Sequence, residues 1–470
     1  MSTTTSSVLL TCEPGRIARS AGALLLACSL LIGGCGLLGI GGDDESSDGP
    51  EPDPDPPVTD TTSSPAPSLL SYNGTEFFLS GGNVAWNTFA RDVGPAPDHP
   101  EISTFSDVFQ QVSEHRGNVL RLWLHTNGAH TPAWDDSTVV GPGENTIEDL
   151  GVILDEAQAH DVGVVVCLWS FDMLRRSYGE EVTNRAHALL TKRDKTESYV
   201  NNALVPMVEA LSDHPALVAW EIFNEPAGMS EAFGWDGIRH VPFADIQRFI
   251  NLTAGAIHER DADALVTSGA WSFSVLTDAD LPSSKVRMPP VSALAPAQVT
   301  AIQQHLSRQP GLPVSRAAAR SFYRAYRKSS HSPHNYYRDD RLIEAGGREQ
   351  GTLDFYSVHY YEWAGTEQSP FHHDVTVWDL EKPVVIGEFF LGGSHDGGDG
   401  DPDSTYGVAW QDLYPTLYNR GYTGALGWQW FDWDREREGL TQNWPRALDN
   451  MSTLHDEHPD DVDLVLDSPS

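Results

Sequence analysis

Residues 217–226 read Leu217-Val218-Ala219-Trp220-Glu221-Ile222-Phe223-Asn224-Glu225-Pro226. The run is apolar nearly throughout and of strand length, which is how a strand buried on both faces reads. Pro226 stops the ladder because it has no amide hydrogen to donate. Glu225 therefore stands just past the carboxyl end of a buried strand. A second run of the same kind, Pro383-Val384-Val385-Ile386-Gly387-Glu388-Phe389-Phe390, ends in another glutamate.

Working outward, short β-rich runs alternate with amphipathic stretches. The strand candidates are Phe77–Val84, Asn118–Leu124, Gly163–Trp169, Leu217–Phe223, Leu265–Ser268, Asp354–His359, Val384–Glu388 and Gly424–Trp430. Helical patterns such as Thr146–His160, Glu197–Leu211 and Phe243–Arg260 lie between them. Strands alternating with helices imply parallel βαβ units, and eight in succession predict a (β/α)8 TIM barrel. A doubly wound sheet would want a phosphate-binding glycine turn after the first strand, and Gly81-Gly82-Asn83 does not match it.

A barrel places its chemistry at the carboxyl ends of its strands, where both glutamates fall. Two carboxylates facing one cleft can cleave a glycosidic bond: one protonates the leaving oxygen, the other attacks the anomeric carbon or activates water. A separation of about 5–5.5 Å gives retention, and about 6.5–9.5 Å gives inversion.

Asn-Glu-Pro after the fourth strand and Gly-Glu-Phe after the seventh resemble the clan A glycoside hydrolases, family 5 in particular. Trp220–Pro226 is a seven-residue match, and the resemblance extends over roughly Leu70 to Met451. It implies a retaining enzyme with Glu225 as acid/base and Glu388 as nucleophile. It also implies that Arg121, in Val119-Leu120-Arg121-Leu122-Trp123, hydrogen-bonds the nucleophile and favours its ionised form. Asn224 would bind the sugar 2-hydroxyl. His359 and Tyr361 resemble the family's His-x-Tyr, whose Tyr orients the nucleophile. Trp428 resembles the tryptophan floor under the reacting sugar, and Trp430 is the alternative. One position departs from the pattern: the third strand, Val166-Cys167-Leu168-Trp169-Ser170-Phe171-Asp172, lacks the family's histidine. Trp169 is then a candidate cleft residue, and His125 a candidate source of the imidazole. Arg-Leu-Trp-Leu-His-Thr-Asn-Gly and Trp-Glu-Ile-Phe-Asn-Glu-Pro look most like bacterial endo-β-1,4-mannanase-type members, so a β-1,4-mannan is the first expectation and a β-1,4-glucan the second. Trp123, Trp235, Trp271, Trp363 and Trp433 are further aromatic candidates near strand ends, each with core packing as the alternative.

The formal charge is −37, with only five Lys. A nucleic-acid partner would need a basic footprint and is not expected. So acidic a balance suggests a salt-adapted surface or simply an acidic secreted protein. Against it, residues 282–335 carry eight cations (Lys285, Arg287, Arg308, Arg316, Arg320, Arg324, Arg327, Lys328) and no acid. This reads as an insertion between strands five and six. Pairing with the acidic body is favoured over polyanion binding. Helices are expected there over Ala297–Ser307 and Val314–Lys328. The glycine-rich loop 392–404 holds Asp396, Asp399, Asp401 and Asp403 without the spacing of a calcium loop. Neither a metal nor a cofactor is expected.

At the amino end, Arg16 and Arg19 precede a short apolar run and then Ile32-Gly33-Gly34-Cys35. The run is too short for a membrane span and fits a signal-peptide core. Residues 1–34 are expected to be a lipoprotein signal, with Cys35 lipidated; by resemblance to Gram-negative lipoproteins, Gly36 favours the outer membrane or cell surface. Residues 35–69 form an acidic Pro/Ser/Thr-rich spacer that cannot bury enough surface to fold. The catalytic domain is expected over 70–455, followed by an acidic tail over 456–470. A monomer acting on polysaccharide is expected. A lipid-tethered, non-catalytic glycan-binding barrel is the alternative of a different class.

Overall fold

The computed structural model describes residues 65–94, 100–282, 289–306, 314–330, 332–392, 403–405, 407–430 and 443–466. The signal sequence, Cys35, nearly all of the spacer, Trp433, Lys285, Arg287, Arg308 and three aspartates of the 392–404 loop lie outside them.

Eight parallel strands close into a barrel in chain order. They are β1 (Leu79–Val84), β2 (Val119–Thr126), β3 (Gly163–Ser170), β4 (Leu217–Asn224), β5 (Leu265–Ala270), β6 (Tyr356–His359), β7 (Val384–Phe389) and β8 (Gly424–Gly427). All eight expected strands are present, shifted by a few residues at their ends. Phe77–Val84 splits in two. Leu70–Tyr72 and Thr75–Phe77 form an antiparallel hairpin, and only Leu79 onward joins the barrel. The hairpin's Leu70 and Phe77 pack with Leu79, Val119, Val165, Phe355, Val385 and Leu426, closing the amino-terminal end with apolar side chains. The chain comes back to this end after residue 456: Val462 and Leu466 are buried, and the Asn118 amide donates to the Val462 carbonyl.

The helices surround the barrel: α1 (Ile102–Glu114), α2 (Thr146–Ala159), α3 (Glu180–Thr191), α4 (Arg193–Tyr199), α5 (Val205–Leu211), α6 (Phe243–Arg260), α7 (Pro296–Leu306), α8 (Arg316–Ser329), α9 (Asp339–Gly346), α10 (Leu413–Asn419) and α11 (Asn443–Glu457). The single helix expected over Glu197–Leu211 is interrupted by a π-helical turn, Val200–Leu204. Pro206 has no amide hydrogen for a regular helical bond, and the ladder adjusts just ahead of it.

Two candidate cleft residues take their place in this packing layer. Trp169 has no solvent exposure; its ring meets His125, Tyr199 of α4 and Phe249 of α6. His125 is equally buried, with Nδ1 2.9 Å from the Thr131 hydroxyl and its ring against Tyr199. Neither ring presents a face to a sugar, because both pack with the helical layer behind the barrel wall. Burial depresses the His125 pKa to about 3.

That depression has a pH signature. Above an unfolded-state pKa of about 6.5 both states are neutral and the contribution is full; as pH falls toward 3 only the unfolded chain takes up the proton, and stability is lost. His125→Phe, which keeps a ring against Trp169 and Tyr199, should remove this component, on the order of 5 kcal/mol at its full extent. Urea unfolding from pH 7 to pH 3.5 should therefore fall less steeply for the variant. Parallel pH curves would refute the assignment.

Candidate active site

At the carboxyl end of the barrel the interior side chains are polar and fully buried. Arg121 on β2 is at the centre. Its Nε and Nη2 grip Glu221 of β4 in a two-pronged pair at 2.8 and 2.6 Å. Nη1 donates to Asn83 of β1 (2.9 Å) and to Glu388 of β7 (2.8 Å), and Nη2 to the Asn224 side-chain oxygen (3.0 Å). All five guanidinium hydrogens are thereby used. Burial, the largest single influence, would lower the Arg121 pKa, but Glu221, Cys167 and Glu388 together outweigh it and the pKa is raised well above its ordinary value. Asn83 faces the carbonyls of Gly387, Leu426 and Gly427 at 3.0–3.3 Å, tying β1 to β7 and β8.

Glu388 is held from two sides. Oε1 accepts from Arg121, and Oε2 accepts from the Tyr361 hydroxyl at 2.7 Å. Tyr361 is itself fixed by a parallel stack on Trp363, with centroids 4.5 Å apart. His359 Nδ1 lies between the two glutamates, 3.0 Å from Glu225 Oε1 and 3.5 Å from Glu388 Oε2. One donor atom each of Glu225, His359 and Glu388 lie within 4.8 Å of one another. Such a trio could gather round a cation, but its atoms already have partners: Nδ1 faces Glu225, and Glu388 accepts a hydrogen bond from the Tyr361 hydroxyl.

The local backbone explains the placement. The β6–β7 register shifts at His359, which then pairs with Glu388, and the β4–β5 register shifts between Glu221 and Asn224. Bulges at a barrel rim re-aim side chains in this way. Glu225 follows with φ 49° and ψ 50°, a left-handed conformation that a non-glycine residue adopts at a cost and that recurs at functional sites. Its amide donates to the Gly269 carbonyl at 2.9 Å. Position 269 has to be glycine: a Cβ there would stand 2.6 Å from Glu221 Oε1 and 3.1 Å from His359 Nε2.

These contacts bring Glu225, Glu388, Arg121, Asn224, His359 and Tyr361 together as expected. Trp428 follows β8 at the same end of the barrel, with its ring 6.0 Å from both Trp86 and Trp123. Trp430 is half-buried, its amide bonded to the Asn83 carbonyl. Trp169 and His125 do not take part. At the end of β3 stands Ser170, whose hydroxyl donates to Asp172 and lies 3.5 Å from the Asn224 amide nitrogen. Glu221, Asn83 and Trp86 were not among the expected residues. A carboxylate and an amide inside all-buried strands were the available signal, since buried polar groups need partners.

The profile described as Cellulase (glycosyl hydrolase family 5) matches residues 73–306. A mannan endo-1,4-beta-mannosidase of Mytilus edulis is 31% identical over 395 residues, covering 79% of this chain and 89% of that protein. The chain belongs to glycosyl hydrolase family 5. Another relative within reach, a mannan endo-1,4-beta-mannosidase of Cryptopygus antarcticus, is 30% identical over 381 residues, 76% of this chain and 81% of its own length. Among solved structures, the beta-mannanase of the blue mussel Mytilus edulis superposes with a TM-score of 0.60 at 30% identity, over 83% of this chain and 95% of its own. Family membership and the closed eight-stranded barrel thus agree.

Glu221→Ala tests the centre of the network. It leaves a buried guanidinium without its main counter-charge, which should cost about 3–5 kcal/mol. Chemical denaturation should show that loss, together with a fall in kcat, because the group that positions Glu388 is no longer held. A loss below about 1 kcal/mol would mean that Glu221 does not hold Arg121 in place.

Proposed function

We propose that the protein is an endo-β-1,4-mannanase that cleaves its polysaccharide with retention, by double displacement. The observation carrying retention is that one oxygen of Glu225 and one of Glu388 lie within 4.8 Å of each other, which favours the close carboxylate pair of a retaining enzyme. In the first step Glu388 attacks the anomeric carbon while Glu225 gives its proton to the departing glycosidic oxygen. An ester forms to Glu388 as the sugar–oxygen bond breaks. In the second step Glu225 takes a proton from water, the water oxygen bonds the anomeric carbon, and the ester bond to Glu388 breaks.

The surrounding groups support these roles. Arg121 and Tyr361 each donate to Glu388 and leave its oxygens little freedom to turn. His359, lying between the carboxylates, can hold Glu225 toward the leaving oxygen. Asn224, anchored by Arg121, stands beside Glu225 where a sugar 2-hydroxyl would lie. Trp428, backed by Trp86 and Trp123, offers a floor for the reacting sugar, with Trp430 as the outer continuation. Mannan as substrate rests on the two relatives that span most of the chain. A non-catalytic glycan-binding barrel would have no use for two carboxylates held this closely.

The decisive experiment is a reducing-sugar assay on mannan, cellulose and mixed-linkage glucan at low and high salt. Mannan should be cut fastest, and Glu388→Ala should lose at least about 10³-fold in kcat. Equal activity of variant and wild type would overturn the mechanism. Cleavage of glucans but not mannan would overturn the substrate.

We also infer that the chain is exported and lipid-anchored at Cys35 in the cell envelope, that residues 35–69 space a monomeric, salt-adapted domain from the membrane, and that the apolar run ending in Gly33-Gly34-Cys35 is the export signal. Cys35→Ser should abolish incorporation of labelled fatty acid and move the protein from the membrane fraction to the soluble one. Undiminished labelling would refute the anchor.

A further inference from the structure

The insertion between β5 and β6 has a two-sided second helix. On one side of α8, Ala319, Phe322, Tyr323, Ala325 and Tyr326 are buried. Phe322 packs against Trp235, Trp271 and Trp363, and Tyr326 against Trp271. On the other side Arg316, Arg320 and Arg324 recur every four residues, with Lys328 continuing the row. Arg316, Arg324 and Lys328 are exposed and Arg320 is half-exposed. Four residues advance about 6 Å along a helix, so the row runs for about 18 Å.

Three arginines of this helix do not show the expected pairing with the acidic body. Among the described residues Arg316, Arg320 and Arg324 have no ion-pair partner, whereas Arg338 and Arg341, just beyond the insertion, both pair with Asp278 at 3.1 and 2.9 Å. The aromatic face takes the contact with the body and turns the cations outward. Like charges four apart on a helix repel by about 0.2–0.5 kcal/mol per pair. In a chain of net charge −37, a row of this kind has no lack of carboxylates to meet, yet Arg316, Arg320 and Arg324 pair with none among the described residues.

We propose that this row is an adsorption face for a carboxylated polysaccharide, bound separately from the neutral chain that the cleft cuts. The regular positions are arginine, and a guanidinium fork takes a carboxylate through two parallel hydrogen bonds. The row follows one inclined ridge of the helix, and that helix is fixed by ring packing, so little ordering remains to be done on binding. A linear polymer with one carboxylate per sugar matches a single sparse line of cations. Nucleic acid and anionic membrane present denser or broader charge, which the acidic remainder of the molecule would repel. Such a face would retain the enzyme on composite material in which acidic and neutral polysaccharides are mixed.

The test is affinity electrophoresis of the full chain through gels containing polygalacturonate, with dextran gels as the neutral control. Co-sedimentation with phosphatidylglycerol vesicles and retardation by double-stranded DNA run in parallel. Wild type should be retarded by polygalacturonate, weakening about 10-fold or more between 50 and 500 mM salt. The triple variant Arg316→Gln, Arg320→Gln, Arg324→Gln should bind about 10-fold more weakly while hydrolysing soluble neutral mannan with unchanged kcat and KM. Should that variant fail to fold, the Arg→Lys triple decides: it keeps the charge but not the fork, and should bind about 3-fold more weakly. Absence of wild-type retardation, equal retardation of wild type and variants, or binding to vesicles or DNA but not to polygalacturonate would each overturn the proposal. Loss of the mannanase reading would show separately, as wild type that binds the gel and cuts no mannan.

Discussion

The site depends on one buried guanidinium. Removing Arg121 and its carboxylate partners from water costs several kcal/mol per ion even after relaxation. A single close ion pair at an intermediate effective dielectric returns about 4 kcal/mol. The two-pronged pair with Glu221 therefore does not clearly compensate the burial by itself. The remaining hydrogens must also be used, and they are, on Asn83, Asn224 and Glu388. Because every donor is committed, the group cannot turn without breaking several bonds at once. The position of Glu388 is in this sense set by Glu221, which grips Arg121 from two barrel strands away.

The barrel makes this arrangement available. Arg121, Glu221, Asn83 and Glu388 come from four different strands, and side chains from four strands meet only inside a closed sheet. Register shifts at His359 and between Glu221 and Asn224 bring the last polar residues inward. The absence of a side chain at Gly269 leaves room for Glu221 and His359 in the same layer. At the opposite end the barrel is filled by Leu70, Phe77 and Leu79, so an apolar plug and a polar centre divide the interior.

What could be read in the sequence follows from which facts are local. Glu225 and Glu388 were legible because a glutamate that ends an apolar run announces its place in a barrel without knowledge of its neighbours. The eight strands were legible from composition and spacing, although Phe77–Val84 hid a turn: residues 77 and 78 are both apolar, and nothing local separates the hairpin from the barrel strand. Glu221 was not legible as a partner of Arg121, since a hundred residues intervene and the pairing exists only once β2 and β4 face one another. Trp169 and His125 misled for the same reason. Their positions at strand ends suggested the cleft, but whether such a ring points inward or back under the helices is decided by bulges, which leave no mark in a single sequence. Trp86 was missed because it lies two residues beyond its strand.

The insertion is tied to the same centre through its rings. Phe322 touches Trp363, Trp363 stacks on Tyr361, and Tyr361 donates to Glu388. A helix added at the edge of a barrel need only bury its apolar side to be stable, and many surfaces would serve. This one is buried against the aromatic that supports Tyr361. The consequence is geometric: the helix that carries the cation row cannot shift far without disturbing Trp363, the ring that supports the donor to Glu388. A polymer held on that row is thus held at a fixed place relative to the cleft, which a binding domain on a flexible linker would not achieve. Rigidity that serves catalysis on the inner face of α8 serves positioning on its outer face.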